Sequence, residues 1–167
     1  MQKYLTLNHE KFILNYHLIF STKYRRKILS PIKDDLFMSF RRAENIQGKW
    51  KIEYMEADED HVHFFISTTP TDCIADIVHS LKQISTYDMW KSYYSYLRKF
   101  YWKEHHLWTR GYFCSSVGNV SAERLKEYIM NQGYPDSHST LKGWNLSRVL
   151  YVYFFHEEGC CRHLQVL

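Results

Sequence analysis

The sequence predicts an α+β domain in which an antiparallel sheet is covered by helices. The first observation is the alternation of apolar and polar residues in several short segments, which is the period of a half-buried strand. The second is a pair of longer segments in which apolar residues recur every three or four positions, as on one face of a helix. The third is the turn chemistry between these segments, where Pro, Gly and Asp interrupt the periodicity.

The first predicted strand covers residues 12–20, where every second residue from Leu14 to Phe20 is apolar. A basic run follows this strand directly and consists of Lys23, Tyr24, Arg25, Arg26 and Lys27. The first helix is predicted from about Pro31, a residue that the first turn of a helix tolerates, to Gly48.

Two further strands are predicted at residues 50–57 and 61–68. The three acidic residues between them are typical of a turn, so the two strands are expected to form a hairpin. Pro70 and Asp72 open the second predicted helix, which runs into an aromatic and basic region up to about Trp102. The pattern sets no boundaries inside that region.

A fourth strand is predicted at residues 108–117 and a last helix at 122–132, which Ser121 would cap and Gly133 would end. The first six elements follow the order strand, helix, strand, strand, helix, strand. That order is typical of a ferredoxin-like or RNA-recognition-type antiparallel sheet with helices on one face. The last helix is an addition to it. Because this architecture supports many chemistries, function has to be argued from particular residues.

The composition indicates one well-cored domain with a mildly basic surface. The chain has 167 residues, of which 45% are hydrophobic, and 22 Lys and Arg against 18 Asp and Glu give a net charge of +4. This charge permits an anionic partner without requiring one. Aromatic residues make up 17% of the chain, a content that suits stacking on nucleic-acid bases, although most rings in any domain belong to the core.

The cysteine pattern and the hydropathy indicate a cytoplasmic protein. The four cysteines form no CxxC pair and have no regular spacing, which argues against a zinc knuckle or a disulfide framework. The amino-terminal residues lack the layout of a signal peptide, and no apolar stretch approaches the length of a membrane span. We therefore expect a reducing, intracellular setting and no membrane partner.

His61 and His63 are candidate metal ligands. Successive side chains of a strand point to opposite faces, so both imidazoles would lie on one face, at a separation that a single cation can bridge. Hydrogen bonding to solvent would satisfy them equally well. Tyr128 and Gln132 form a second candidate pair, because residues four apart lie on one face of a helix. Neither pair is decisive alone.

Four segments occur in a characteristic order along the chain. They read YHLIFSTKYRRK at 16–27, DEDHVH at 58–63, LWTRGYF at 107–113 and EYIMNQ at 127–132. Together they resemble the small TnpA-type insertion-sequence transposases, which belong to the single-tyrosine HUH endonucleases, named for His, hydrophobic residue, His. The resemblance covers about residues 10–133. It implies a catalytic domain at 1–133 and leaves 134–167 as a tail of unknown role.

This resemblance implies that His61 and His63 are two metal ligands, Gln132 the third ligand and Tyr128 the nucleophile on a carboxy-terminal catalytic helix. Two imidazole nitrogens and one amide oxygen add no negative charge and leave coordination positions open, which suits Mg²⁺ or Mn²⁺. A tyrosine hydroxyl has a pKa of about 10, so it needs help to lose its proton. The sequence identifies no general base.

The resemblance also implies a reaction on single-stranded DNA through a 5'-phosphotyrosine intermediate. The DNA would carry hairpins at the ends of an insertion sequence, and the protein would work at the nucleoid as a homodimer with active sites shared between subunits. The basic run 23–27 would bind phosphates and stack a base on Tyr24, with solvated surface as the alternative.

Other residues remain open between two interpretations. Asp58 and Asp60 either orient the histidines or serve as turn residues. His17 is expected to be a hydrogen-bonded packing residue, and Gly118 either a hinge for the last helix or a turn glycine. Further candidate phosphate contacts are Arg41, Arg42, Lys82 and Lys91.

Two other classes of function fit the same residues. A single-stranded nucleic-acid-binding protein would use the rings and the basic run but not Tyr128. A metal-dependent nuclease would use the histidines and release free ends without the tyrosine.

Overall fold

The computed structural model describes residues 5–7 and 10–117. The predicted last helix, with Tyr128 and Gln132, lies outside the described residues, as do Gly118 and the tail 134–167. The strands are β1 (Leu5–Leu7), β2 (Glu10–Phe12), β3 (Leu14–Ser21), β4 (Lys51–Ala57), β5 (His61–Thr68) and β6 (Phe113–Ser116). The helices are α1 (Lys33–Gln47), α2 (Ile74–Ser92) and α3 (Tyr94–Leu97).

The main sheet has four strands in the order β4-β5-β3-β6, and every neighbouring pair is antiparallel. Its central pair, β3 and β5, is aligned over eight residues from Leu14 opposite Thr68 to Ser21 opposite His61. This is the strand order of a ferredoxin-like sheet, so the predicted α+β class is confirmed. β1 and β2 form a separate two-stranded hairpin that the sequence pattern did not indicate.

The core lies between the sheet and the two long helices. β3 and β5 contribute Leu18, Phe20 and Phe64, which are buried together with Phe40 of α1 and Leu81 of α2. Burial of a large apolar side chain stabilises a fold by roughly 1.5–3 kcal/mol. The alternate residues of β3 and β5 therefore face away from this core, and the candidate ligands are among them.

Helix α1 begins and ends close to its predicted limits. A 3-10 turn at Ser30–Ile32 precedes it, so the α-helix starts two residues after Pro31. Gly48 ends the helix in the left-handed conformation, with φ of 65°, and its N–H donates to the Glu44 carbonyl at 2.9 Å. Glycine is favoured there because a side chain at positive φ is strained.

Helix α2 begins at Ile74, two residues after Asp72. The Asp72 carboxylate accepts the Thr69 N–H at 2.7 Å and the Thr69 hydroxyl at 2.9 Å, so it closes a turn in front of the helix. The helix continues to Ser92, into the region that the pattern left without boundaries, and α3 follows it there. Within the described ranges, no helix has both the length and the apolarity needed to cross a membrane.

The fourth strand is shorter than predicted, because β6 covers only Phe113–Ser116. Trp108 forms an isolated bridge with Thr22, and residues 109–112 form a loop between bridge and strand. The Lys82 ammonium donates to the carbonyls of Thr109, Arg110 and Gly111 at 2.9, 3.0 and 2.9 Å. These carbonyls are thus occupied by a side chain of α2 instead of by a neighbouring strand.

Candidate active site

His61 and His63 lie side by side on β5, with ring centroids 5.0 Å apart. Because side chains alternate along a strand, Val62 and Phe64 point into the core while both histidines point to the opposite face. His63 is 3% exposed and His61 is half-buried. The predicted placement on one face of a strand is therefore what the structure shows, while the role as ligands stays a prediction.

His63 is hydrogen-bonded to His17, with 3.0 Å between Nδ1 of His63 and Nε2 of His17. In the β3–β5 register, His17 stands opposite Phe65, so it is the diagonal neighbour of His63 on the same face. The Phe113 ring packs edge-on against His17 with a centroid distance of 6.0 Å. His17 was expected to be a hydrogen-bonded packing residue, and its partner is a candidate ligand.

Burial keeps this histidine pair neutral. It lowers the pKa of His17 to about 4. Burial also lowers the pKa of His63 to about 3, and the neighbouring His17 and His61 lower it further. At neutral pH both rings therefore carry one proton each and no charge. A neutral imidazole is the form that binds a metal ion.

His61 is held by Asp60. The Asp60 Oδ1 lies 2.7 Å from His61 Nδ1, and Oδ2 of the same carboxylate lies 2.9 Å from Arg25 Nε. Asp58 has a different role, since its Oδ1 accepts the Glu59 N–H at 2.7 Å and its own N–H donates to the His61 carbonyl at 2.9 Å. Of the two acids considered from the sequence, Asp60 thus orients a histidine and Asp58 closes the turn.

The two imidazoles suit a divalent cation. Each ring has its Nδ1 engaged by a protein group, so Nε2 is the nitrogen by which His61 and His63 would bind. No group of three or more His, Cys, Asp or Glu side chains suitable for a metal occurs within residues 5–7 and 10–117. The predicted third ligand, Gln132, lies outside the described residues, so its role stays a prediction.

The turn between β4 and β5 also anchors the segment that follows β3. The Asp60 carbonyl accepts the Thr22 N–H at 2.9 Å, and the Glu59 carbonyl accepts the N–H groups of Ile28 and Leu29 at 2.9 and 3.0 Å. The basic run is therefore tied at both ends to the turn that precedes His61.

The basic run contains two strained residues. Tyr24 and Arg25 have φ of 60° and 54°, in the left-handed region that residues other than glycine rarely adopt. The conformation is fixed from outside the run, because the Lys23 N–H donates to the Leu107 carbonyl at 2.8 Å and the Tyr101 hydroxyl donates to the Lys23 carbonyl at 3.0 Å. In this conformation Tyr24 is 72% exposed.

Two of the run's cations have acidic partners in the turn. Arg25 pairs with Asp60, and Lys27 Nζ lies 2.8 Å from Glu59, whose hydrogen bond raises the pKa of Lys27. Arg26 is exposed and forms no ion pair within the part of the chain that the structure describes. The run therefore presents exposed cations beside the carboxylate that holds His61.

The other cations considered from the sequence divide into two groups. Lys82 donates to three loop carbonyls, Arg41 contacts Glu44 and the Ile52 carbonyl at 2.8 and 2.7 Å, and Arg42 pairs with Asp88. Lys91 has no such partner among the described residues and lines an open groove of about 1370 Å³ between α2 and residues 104–112, which Lys82 also lines. The groove also contains Lys23, Tyr24, Tyr87, Trp90 and Arg110.

Comparison with known proteins identifies the family. The family described as "Transposase IS200 like" matches residues 10–132. The ISDra2 transposase TnpA of Deinococcus radiodurans is 32% identical over 119 residues, covering 71% of this chain and 84% of that protein. The transposase for insertion sequence element IS200 of Salmonella typhimurium is 27% identical over 130 residues, or 76% of this chain and 82% of that protein.

A solved structure agrees with these relatives. A crystal structure of a protein from Deinococcus radiodurans assigned as a transposase matches with a TM-score of 0.60 and 29% identity, over 79% of this chain and 98% of that one. The family segment, at residues 10–132, includes the four-stranded sheet and the histidine-bearing hairpin. The chain therefore belongs to the IS200-like transposase family.

Proposed function

We propose that the protein cleaves and rejoins single-stranded DNA at the ends of an insertion sequence through a 5'-phosphotyrosine intermediate. Membership of the transposase family supports a DNA-processing role. The observation that carries the finer proposal is the pair His61 and His63, which lie on one face of β5, each with its Nδ1 held by another side chain. Two neutral imidazoles held in this way are suited to binding a divalent cation, and the exposed cations of the basic run lie beside them.

In this proposal His61, His63 and Gln132 hold Mg²⁺ or Mn²⁺. When bound, the cation would supply positive charge against the scissile phosphate. The protein's own contribution is orientation. Asp60 fixes the ring of His61, and the turn carbonyls fix the basic run at a constant distance from it.

Tyr128 performs the covalent step. Its hydroxyl loses a proton and its oxygen bonds to phosphorus, while the bond from phosphorus to the 3'-oxygen breaks and that oxygen takes up a proton. The 5'-phosphate remains esterified to the tyrosine. A 3'-hydroxyl can later attack this ester and release the tyrosine, so rejoining requires no ATP. Tyr128 lies outside the described residues, and its role is part of the proposal.

The DNA would contact the basic run and the adjoining groove. Exposed Tyr24 offers a ring for a base, and Arg26 and Lys91 offer charges for phosphates. The substrate in this proposal is single-stranded DNA with hairpins near the element ends, and the protein acts in the cytoplasm at the nucleoid. It acts as a homodimer with shared active sites, with a catalytic domain at 1–133 and a tail at 134–167.

A covalent-adduct assay tests the proposal. Wild-type protein is mixed with 5'- and 3'-labelled single-stranded DNA from the element ends and with Mg²⁺ or Mn²⁺, and the products are separated on a denaturing gel. We expect the protein to become linked to the 5' end of the fragment that lies 3' of the cut. The other fragment should end in a free 3'-hydroxyl. Tyr128→Phe should abolish both while DNA binding is retained, and Tyr94→Phe, at an exposed tyrosine of α3 that does not line the groove, is the matched control.

The two rival functions give different results in this assay. Cleavage by Tyr128→Phe with free ends would indicate a metal-dependent nuclease. Binding without cleavage or adduct by wild-type protein, across hairpin substrates from both ends, would indicate a binding protein.

A further inference from the structure

We propose that His17 is a positioning residue that holds His63 in the tautomer able to bind a divalent cation. The inference rests on the proposed role of His63 as a ligand and assigns a function to its neighbour. It starts from one contact, the 3.0 Å separation of His17 Nε2 and His63 Nδ1.

The contact allows two proton arrangements. If His17 Nε2 donates, His63 accepts with Nδ1 and carries its own proton on Nε2, where that proton blocks a metal. If His63 Nδ1 donates, the Nε2 lone pair of His63 can bind a metal, and His17 carries its proton on Nδ1. Only the second arrangement is compatible with a metal at His63, so His17 has to act as the acceptor.

The geometry of the rings fits a strong directional hydrogen bond. The planes differ by 15°, and the centroids are 5.3 Å apart while the facing nitrogens are 3.0 Å apart. The rings therefore meet edge to edge, with the shared hydrogen close to both ring planes, where imidazole lone pairs point. The central position of β3, paired on both sides by β5 and β6, fixes the backbone beneath His17.

The comparison with His61 explains why the acceptor is a histidine. Half-buried His61 is held by the carboxylate of Asp60, whose charge is also paired with Arg25. His63 is 3% exposed and His17 is 8% exposed, and an anion at the position of His17 would lose hydration in that environment. A neutral imidazole accepts the same proton without that cost.

The tautomer of His63 can be measured directly in the metal-free full-length protein. Two-bond ¹⁵N–¹H NMR correlations distinguish a ring protonated on Nδ1 from one protonated on Nε2. We expect Nδ1–H for His63 and for His17 in the wild type. In His17→Phe, which keeps a ring but has no acceptor, His63 should populate both tautomers, whereas His17→Gln should restore Nδ1–H through its amide oxygen.

Metal binding provides the second measurement. Titration of each protein with Mn²⁺, followed by electron paramagnetic resonance, should show an affinity about 10-fold or more weaker in His17→Phe and largely recovered in His17→Gln. Thermal unfolding of both variants controls for a general packing defect. His63 protonated on Nε2 in the wild type would overturn the inference, and so would unchanged Mn²⁺ affinity in a folded His17→Phe.

Failure of this inference is distinguishable from failure of the proposed function. If wild-type protein forms the covalent adduct but His63 carries its proton on Nε2, the transposition chemistry stands and the role of His17 falls. If His17→Phe does not fold, the wild-type NMR measurement and the His17→Gln variant still decide the question.

Discussion

Arg25 and Asp60 form an ion pair at the start of β5, with a separation of 2.9 Å between Nε and Oδ2. The pair joins two parts of the proposed site, because Asp60 also holds His61 and Arg25 belongs to the basic run. Arg25 is largely exposed, so the pair itself contributes little to stability. Its consequence is orientation.

Replacement of Asp60 should weaken the metal site without unfolding the protein. Asp60→Ala removes the acceptor at His61 Nδ1. We therefore expect the Mn²⁺ concentration needed for half-maximal DNA cleavage to rise by at least about 10-fold. The measurement is a titration of cleavage rate with Mn²⁺. Asp58→Ala is the matched control, because Asp58 lies in the same turn but contacts backbone groups. Equal effects of the two variants would contradict the assigned roles.

The exposed Arg26 should contribute a phosphate contact. Arg26→Ala is expected to weaken single-stranded DNA binding and to reduce the slope of log affinity against log salt by about 0.7, the value for one phosphate. Fluorescence anisotropy at several salt concentrations measures both quantities. Lys51→Ala, a change at the start of edge strand β4, serves as the control for net charge. The same slope in both variants would exclude a direct contact.

Replacement of Tyr24 by glycine should make the protein more stable and weaken its binding to DNA. At φ of 60° glycine is unstrained, so Tyr24→Gly is expected to raise the free energy of unfolding by up to about 1 kcal/mol. Loss of one stacked base should weaken DNA binding by about 1–3 kcal/mol. Denaturant unfolding and anisotropy measure the two effects.

Gly48 provides the opposite control for this prediction. It has φ of 65°, and a Cβ added there would point into open space, so Gly48→Ala should lower the free energy of unfolding by about 1 kcal/mol through the backbone alone. DNA binding should be unchanged. A stability loss in Tyr24→Gly would show that the exposed ring has a packing role.

Lys82 should stabilise the loop between Trp108 and β6. Burial lowers the pKa of Lys82 to about 8, so its ammonium remains largely charged at pH 7 and keeps three donors for three carbonyls. Lys82→Met should cost about 1–3 kcal/mol of unfolding free energy and speed amide exchange in residues 109–113. Lys91→Met, an exposed change on the same helix, is the control. Unchanged exchange would contradict the role.

The stability of the metal-free protein should fall on acidification. His17 and His63 have folded-state pKa values of about 4 and about 3, below the unfolded value of about 6.5, so the unfolded chain binds more protons between these limits. Titration of these rings therefore leaves the free energy of unfolding unchanged above about pH 6.5. As the pH falls from there towards 4, that free energy decreases by up to about 1.4 kcal/mol per pH unit for each ring.

Denaturant unfolding in EDTA at several pH values between 7 and 4.5 tests this dependence. His17→Phe should reduce the slope of the unfolding free energy against pH by the equivalent of about one proton, because one of the two buried rings is gone. A wild-type curve with no slope below pH 6.5 would show that the two rings titrate normally.

The sequence predicted the architecture well where local pattern and turn chemistry agree. β5 was predicted at 61–68 and is found there, because the acidic turn 58–60 precedes its start and Pro70 follows its end. The strand at 108–117 was predicted too long, since the donor that occupies its carbonyls, Lys82, comes from helix α2. A contact between distant segments leaves no local pattern.

The site was predictable only in part for the same reason. His61 and His63 are neighbours through the two-residue period of one strand, which can be read directly. The pairing of His17 with His63 depends on the alignment of β3 with β5, which joins residues 46 positions apart. Tyr128 and Gln132 stay predictions, because they lie outside the described residues.

The hydrogen bonds of the 58–60 turn have a consequence for sequence variation. Surface turns usually accept insertions, but here the Glu59 and Asp60 carbonyls hold Leu29 and Thr22. An added residue would displace the strand of the histidines and the basic run relative to each other. Length variation among homologues should therefore be rare at this hairpin tip, even where the residues themselves differ.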